Sequence, residues 1–158
     1  MACNVPIVGG KCKLYYNSGT YDTPVWVEIT ECGDVSIPDL GSNLAEINTR
    51  GSKWIKNLPA QMVMAVEFTY LYRADPTVFD FLRTAFFNQT THEFAVMDGD
   101  IATVGTEGLR LPACIENFPI NQNLEEVTMV DTVRLALAYM CDTVGDTVID
   151  PEWYIISV

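Results

Sequence analysis

The chain has 158 residues, 49% of them apolar, with a formal net charge of −12. That length makes one domain with a sizeable core, and the absence of a charged low-complexity run excludes a disordered chain. The negative charge disfavours direct binding to nucleic-acid phosphates or anionic lipid, and no apolar run approaches the length of a membrane helix. Five cysteines (Cys3, Cys12, Cys32, Cys114, Cys141) are odd in number, widely spaced and without a C-x-x-C pair. They predict buried free thiols, not a disulfide framework or a zinc site.

Residues 1–10 read as a flexible arm ending at Gly9-Gly10. The arm lacks the basic-then-apolar pattern of a signal peptide, which predicts a cytosol-like compartment or an exit route that needs no signal. A first short strand covers 11–16 and turns at Asn17-Ser18-Gly19. Val25, Val27 and Ile29 form the inward face of a second strand, with Trp26 and Glu28 opposite. Gly33-Asp34 breaks it, Val35-Ser36-Ile37 resumes, and 38–42 turns again. Leu44 and Ile47 mark a strand running to about Thr49.

Residues 49–60 predict a long inter-strand loop. It carries Arg50, Lys53 and Lys56, three of the nine basic residues, around Trp54 and Ile55. An exposed Trp among cations on an acidic protein has the character of a docking element; the alternative is a Trp folded back onto the core. From 62 to 72 the even positions read Met, Met, Val, Phe, Tyr, Tyr, and the odd ones Val, Ala, Glu, Thr, Leu. Strand side chains alternate between faces, so 61–72 predicts one long strand with a large apolar face. Asp75-Pro76 then supplies an N-cap and a residue suited to the first helical turn. Val78, Leu82, Ala85 and Phe86 fall on one stripe, widened by Phe79 and Phe81, and Asn88-Gln89-Thr90-Thr91 ends the helix.

Residues 93–97 predict a strand, Asp98-Gly99-Asp100 a tight turn, and 103–108 a loop. Leu109, Leu111, Ala113 and Ile115 alternate with Arg110, Pro112, Cys114 and Glu116, and Pro112 argues for a bulge or an incompletely paired position. The last long strand, 125–139, places Val127, Met129, Val133, Leu135 and Leu137 on one face. Asp131 falls on that face too and predicts a register break. An acidic loop at 142–150 and an apolar strand at 153–158 complete the chain.

Catalytic machinery is sparse. His92 is the one histidine, no G-x-S-x-G occurs, and Gly9-Gly10-Lys11 lacks the rest of a phosphate loop. Asp98 with Asp100, and Asp142 with Asp146 and Asp150, are candidate calcium ligands, but neither set has calcium-loop spacing. Asn88-Gln89-Thr90 fits a glycosylation sequon by chance. We expect no catalytic residue, no metal and no cofactor.

The order of these pieces resembles the phage tail tube protein family. The resemblance runs from about residue 10 to 140. It rests on Trp26-Val27-Glu28-Ile29 with Asp34-Val35, the Thr49-Arg50-Gly51 to Lys53-Trp54 loop, the 61–72 strand, the 75–87 helix, Met97-Asp98-Gly99, and the Asn117-Phe118-Pro119 connection into 127–137. The segment 141–158 has no counterpart in it. The resemblance implies a mainly β chain with one flanking α-helix, a β-sandwich or partial barrel forming a single domain over 1–158. It implies a structural virion protein of the viral tail: homohexameric rings stacked into a hollow tube, joined by other tail proteins, with no membrane. Double-stranded DNA would pass through without specific binding, and assembly would occur in the host cytoplasm. On this reading Gln61, Glu67, Thr69, Thr128, Thr132 and Arg134 face the lumen, with Glu46 and Asn48 beside them. A luminal Arg134 requires a carboxylate neighbour. Arg50, Lys53, Trp54, Ile55 and Lys56 form the contact between rings and subunits. The main alternative is a carbohydrate- or protein-binding β-sandwich using exposed Trp26, Trp54 or Tyr side chains as stacking platforms; a hydrolase with paired carboxylates comes third.

Overall fold

The central strand of the chain owes its place to apolar residues on both its faces. In a computed structural model, which describes residues 6–142, 145 and 147–158, β8 spans Glu107–Asn117 and is buried continuously from Gly108 to Ala113. Around it the described residues form strands β1 (Lys13–Asn17), β2 (Trp26–Glu28), β3 (Cys32–Ser36), β6 (Ala65–Leu71), β7 (His92–Met97), β9 (Ile120–Asn121), β10 (Met129–Leu137) and β11 (Glu152–Ile155). These make a nine-stranded sheet in the order β2-β1-β7-β8-β10-β6-β3, with β11 paired to β8 and β9 to β10. Two further strands, β4 (Gly41–Ile47) and β5 (Lys56–Val63), pair only with each other. Every pairing is antiparallel.

The sheet curls until its ends nearly meet. β2 ends at Glu28 and β3 begins at Cys32, on opposite edges of the sheet. A connection that short spans at most about 15 Å, so the edges lie side by side without closing. This is a partial barrel. Its inner face and the one helix, α1 (Pro76–Phe87), enclose the main core, which includes Leu14, Val66, Phe68, Tyr70, Leu82, Phe94, Leu111 and Leu135. α1 starts where the sequence requires: Asp75 accepts hydrogen bonds from Thr77 N at 3.0 Å and Val78 N at 3.4 Å, and Pro76 opens the first turn. It buries Val78, Phe79, Leu82 and Ala85. Gln89 ends it at φ 53°, in the left-handed conformation that more often falls to glycine.

Several expectations need correction. The cysteines read as buried are not: Cys12 is exposed, and Cys32, Cys114 and Cys141 are half-buried. Residues 61–72 are not one strand: β5 and β6 are separated at Met64 and belong to different sheets. Alternation reports which side of the backbone a residue is on; a bend that keeps parity while changing partners leaves it intact. Because β5 starts at Lys56, the loop predicted at 49–60 covers only residues 48–55. Pro112 holds the incompletely paired position expected of it: within the most central strand it is in register with Glu93 of β7 on one edge. Its other edge is the seam where β11 (on residues 107–110) gives way to β10 (on 113–117), so its missing N–H interrupts no ladder. Arg110 does alternate off the main-core face that holds Leu109 and Leu111, yet it is covered there and buried. The predicted strand at 125–139 begins at Met129, and Val127 is exposed. The register break expected at Asp131 does occur: residues 131 and 132 bulge between Val130 and Val133, so Val130, not Met129, faces the core. Of the acidic loop, Asp146 lies outside the described residues, as does Cys3 of the arm.

Candidate functional site

The β4–β5 hairpin is built from strand-forming residues but has nothing to pack on. Its register pairs Glu46 with Asn57, Ala45 with Leu58, Leu44 with Pro59 and Ser42 with Met62, with a bulge at residues 60 and 61 of β5. Paired residues point to the same face, so Leu44 and Met62 lie on one face and Ile47 and Leu58 on the other. Every residue of both strands is exposed, Leu58 by 54% and Met62 by 72%. Fully burying one such side chain stabilises by about 1.5–3 kcal/mol, and a lone two-stranded hairpin is marginal in water. The hairpin therefore presents two apolar faces that the other described residues do not cover.

At its tip, Trp54 is 79% exposed and Ile55 is exposed beside it. The Trp does not fold back onto the core; Trp54 N donates to Ser52 Oγ at 3.1 Å, shaping the loop locally. Arg50, Lys53 and Lys56 are exposed, and none forms an ion pair among the described residues. No acidic residue occurs between Glu46 and Glu67. The tip is thus a cationic, aromatic projection on a chain that is strongly acidic elsewhere.

The candidate lumen residues divide into two groups. Glu46, Asn48 and Gln61 belong to the hairpin, Asn48 just past the end of β4, and all are exposed. Glu67, Thr69 and Arg134 lie on the outward face of the curled sheet, with Thr132 in the β10 bulge and Thr128 ahead of the strand. Thr69 is half-buried beneath β3, where a Cβ on Gly33 would meet its Oγ1 at 2.2 Å. Arg134 and Glu67 are register partners, and the guanidinium has a carboxylate neighbour. It has three: Nη1 donates to Glu67, Nη2 to Asp39, and Nε to Glu116 at 2.9 Å. Hydrogen bonds to Asp39 and then Glu67 raise its pKa further above the ordinary arginine range. One cation and three carboxylates leave this patch negative. Sequence reading missed Asp39 and Glu116 because no local pattern links residues 95 and 18 positions away from Arg134.

A second cluster was also missed. On the same face of the sheet but over β7 and β8, Arg110 (7% exposed) donates from Nε to Glu93 (1% exposed) at 2.6 Å. Asn17 Nδ2 donates to the same carboxylate at 2.9 Å, and Arg110 Nη2 donates to Tyr21 O at 2.8 Å. The rings of Tyr21, Trp26 and Tyr154 surround the guanidinium at 4.3, 5.3 and 5.3 Å. Burial is the largest single influence and opposes the Arg110 charge, but the hydrogen bond and charge of Glu93, with Tyr21 and Glu152, together outweigh it and the pKa is raised. This enclosed arrangement holds β7, β8 and β11 together, and it occupies the Trp26 face that a stacked sugar would need. Among the described residues no three His, Cys, Asp or Glu side chains are grouped to hold a metal.

No protein-family model and no curated protein sequence matches the chain. Solved structures do. A chain of the SPP1 tail tube superposes with a TM-score of 0.68 at 16% identity, covering 96% of this chain and 80% of that one. A chain in the C6-symmetric tail of an empty gene transfer agent particle gives 0.66 at 16%, covering 83% and 93%. One in the six-fold symmetrised baseplate of the anti-feeding prophage gives 0.59 at 11%, covering 99% and 100%. Each superposition covers most of both chains. This chain has the fold of phage tail tube proteins.

Proposed function

We propose that this chain is a structural subunit of a tail tube. Copies assemble as homohexameric rings that stack into a hollow conduit in the virion tail, with other tail proteins joined to the tube. The observation that carries this reading is the β4–β5 hairpin, exposed along both faces with apolar residues on each. A second copy of the chain supplies the missing strand edges and apolar cover, which removes an edge that would otherwise aggregate. The tail assemblies in which the fold recurs support the same role.

In this assembly Arg50, Lys53, Trp54, Ile55 and Lys56 make the contact between rings or subunits. The apolar pair supplies anchor area, and the cations steer approach to acidic surface on the neighbour. Glu46, Asn48, Gln61, Glu67, Thr69, Thr128, Thr132 and Arg134 face the lumen. Arg134 is masked there by its three carboxylates. A duplex passing such a wall finds no array of free cations to exchange for its counterions, so it slides without specific binding. The role assigns no catalytic residue, cofactor or membrane, and places assembly in the host cytoplasm.

Native mass spectrometry and negative-stain electron microscopy of the purified chain over a range of concentrations test the proposal. Hexamers and stacked tubes are expected. Monomers at every concentration and salt condition would overturn it, and saturable binding to a glycan panel, lost in Trp54→Ala, would favour the binding-module alternative.

A further inference from the structure

The hairpin joins the body at two points, and its direction depends on how they are held. Ile37, before β4, and Met64, after β5, pack against the core. Between them lies a linker and the hairpin itself, whose strands make no extended contact with any other element. Among the described residues, a single side-chain bond ties this segment to the body: Asp39, in the linker that enters β4, accepts from Arg134 Nη2.

Arg134 is well placed to make that bond directional. A guanidinium is a rigid planar fork, so fixing two of its nitrogens fixes the third. Glu67 on β6 takes Nη1 and Glu116 on β8 takes Nε. Glu116 is the extra residue of a β8 bulge, between the pairs Arg134↔Asn117 and Leu135↔Ile115. Bulges of this kind re-aim a side chain. The plane is thus clamped by two body strands, and its remaining corner selects where Asp39 sits.

We infer that Arg134 is a positioning residue for assembly: clamped by Glu67 and Glu116, it holds Asp39 and thereby sets the direction in which the β4–β5 hairpin leaves the body. This rests on the tube-subunit reading for its purpose, but the latch itself is a property of the single chain. A hairpin free to swing is docking-competent for only a fraction of the time, and apparent affinity falls by that fraction. The bond is solvent-accessible, so salt weakens it.

Asp39→Ala is the sharpest test, because it removes the hairpin-side partner and leaves Arg134 bound to Glu67 and Glu116. Residual dipolar couplings of hairpin and body amides, measured below the assembly concentration, report the hairpin's direction. The expected result is collapsed hairpin couplings with unchanged body couplings and an unchanged urea midpoint. If the free hairpin points correctly about a tenth of the time, the concentration needed for tubes rises about tenfold. Raising salt should loosen the wild-type hairpin in the same way and alter Asp39→Ala little, while Asp39→Glu should recover part of the order. Wild-type couplings in Asp39→Ala would overturn the latch. Collapsed couplings with unchanged tube formation would overturn the positioning role. Should wild-type protein form no tubes, the tube reading and the positioning role fall together, and the couplings alone still decide whether the latch exists.

Discussion

β5 and β6 follow one another in the chain, have similar length and are both rich in apolar residues, yet they end in opposite environments. Val66, Phe68 and Tyr70 of β6 are sealed between neighbouring strands and α1. Leu58, Met62 and Val63 of β5 stand in solvent. The difference lies in where a second layer comes from. For β6 it is supplied within the chain; for β5 the described residues supply only β4, which is exposed as well. An amphipathic strand announces a need for cover, and the cover can belong to another molecule.

The largest effect that separates the two regions should come from the body's buried ion pair. Arg110→Ala leaves Glu93 charged and buried without its main partner, and should destabilise the fold by about 3–5 kcal/mol in urea unfolding. The hairpin couplings should not change, because Arg110 lies on β8 and touches nothing in β4 or β5. A hairpin that loosens together with the body would break the distinction between them.

Next come matched truncations. Leu82→Ala in α1 opens a cavity in a fully buried site and should cost about 2–5 kcal/mol. Leu58→Ala in β5 should stay within about 0.5 kcal/mol for the unassembled chain, yet weaken tube formation. Comparable losses of monomer stability from both would mean that the hairpin packs on the body after all.

The smallest effect concerns pH. Burial against Phe81, whose ring centre is 4.7 Å away, holds His92 below its ordinary value of 6.5. The unfolded chain therefore takes up the proton more readily than the folded one. This contribution to stability is complete above pH 6.5 and is lost as pH falls from there toward the lowered folded value. In His92→Phe the urea midpoint should fall less steeply through that window; equal slopes in both proteins would remove the argument.

Much of the body was legible in the sequence because local rules and tertiary outcome agreed there. Asp75-Pro76 starts α1, Asn88-Gln89 ends it, Val66-Phe68-Tyr70 alternates into the core, and Asp131 marks its bulge. The site was legible only in part. Trp54 with its three cations reads as a projection from composition alone, and Arg134 was expected to need a carboxylate. Its actual partners could not be read, because Asp39 and Glu116 arrive through the order of strands in the sheet. The Arg110–Glu93 cluster was hidden for the same reason: an alternating arginine looks solvated until loops fold over that face.

The sequence by itself determined the strands of the body in outline, where α1 starts and stops, and that the chain is acidic with a cationic, aromatic tip. These follow from side-chain parity, capping chemistry and charge, all of which act within a few residues. Only the tertiary structure decided that the stretch at 61–72 serves two sheets, that β8 is buried on both faces with Pro112 at a seam, and that three distant carboxylates converge on Arg134. Those outcomes depend on which strands become neighbours, and strand order is chosen by the packing of the whole core.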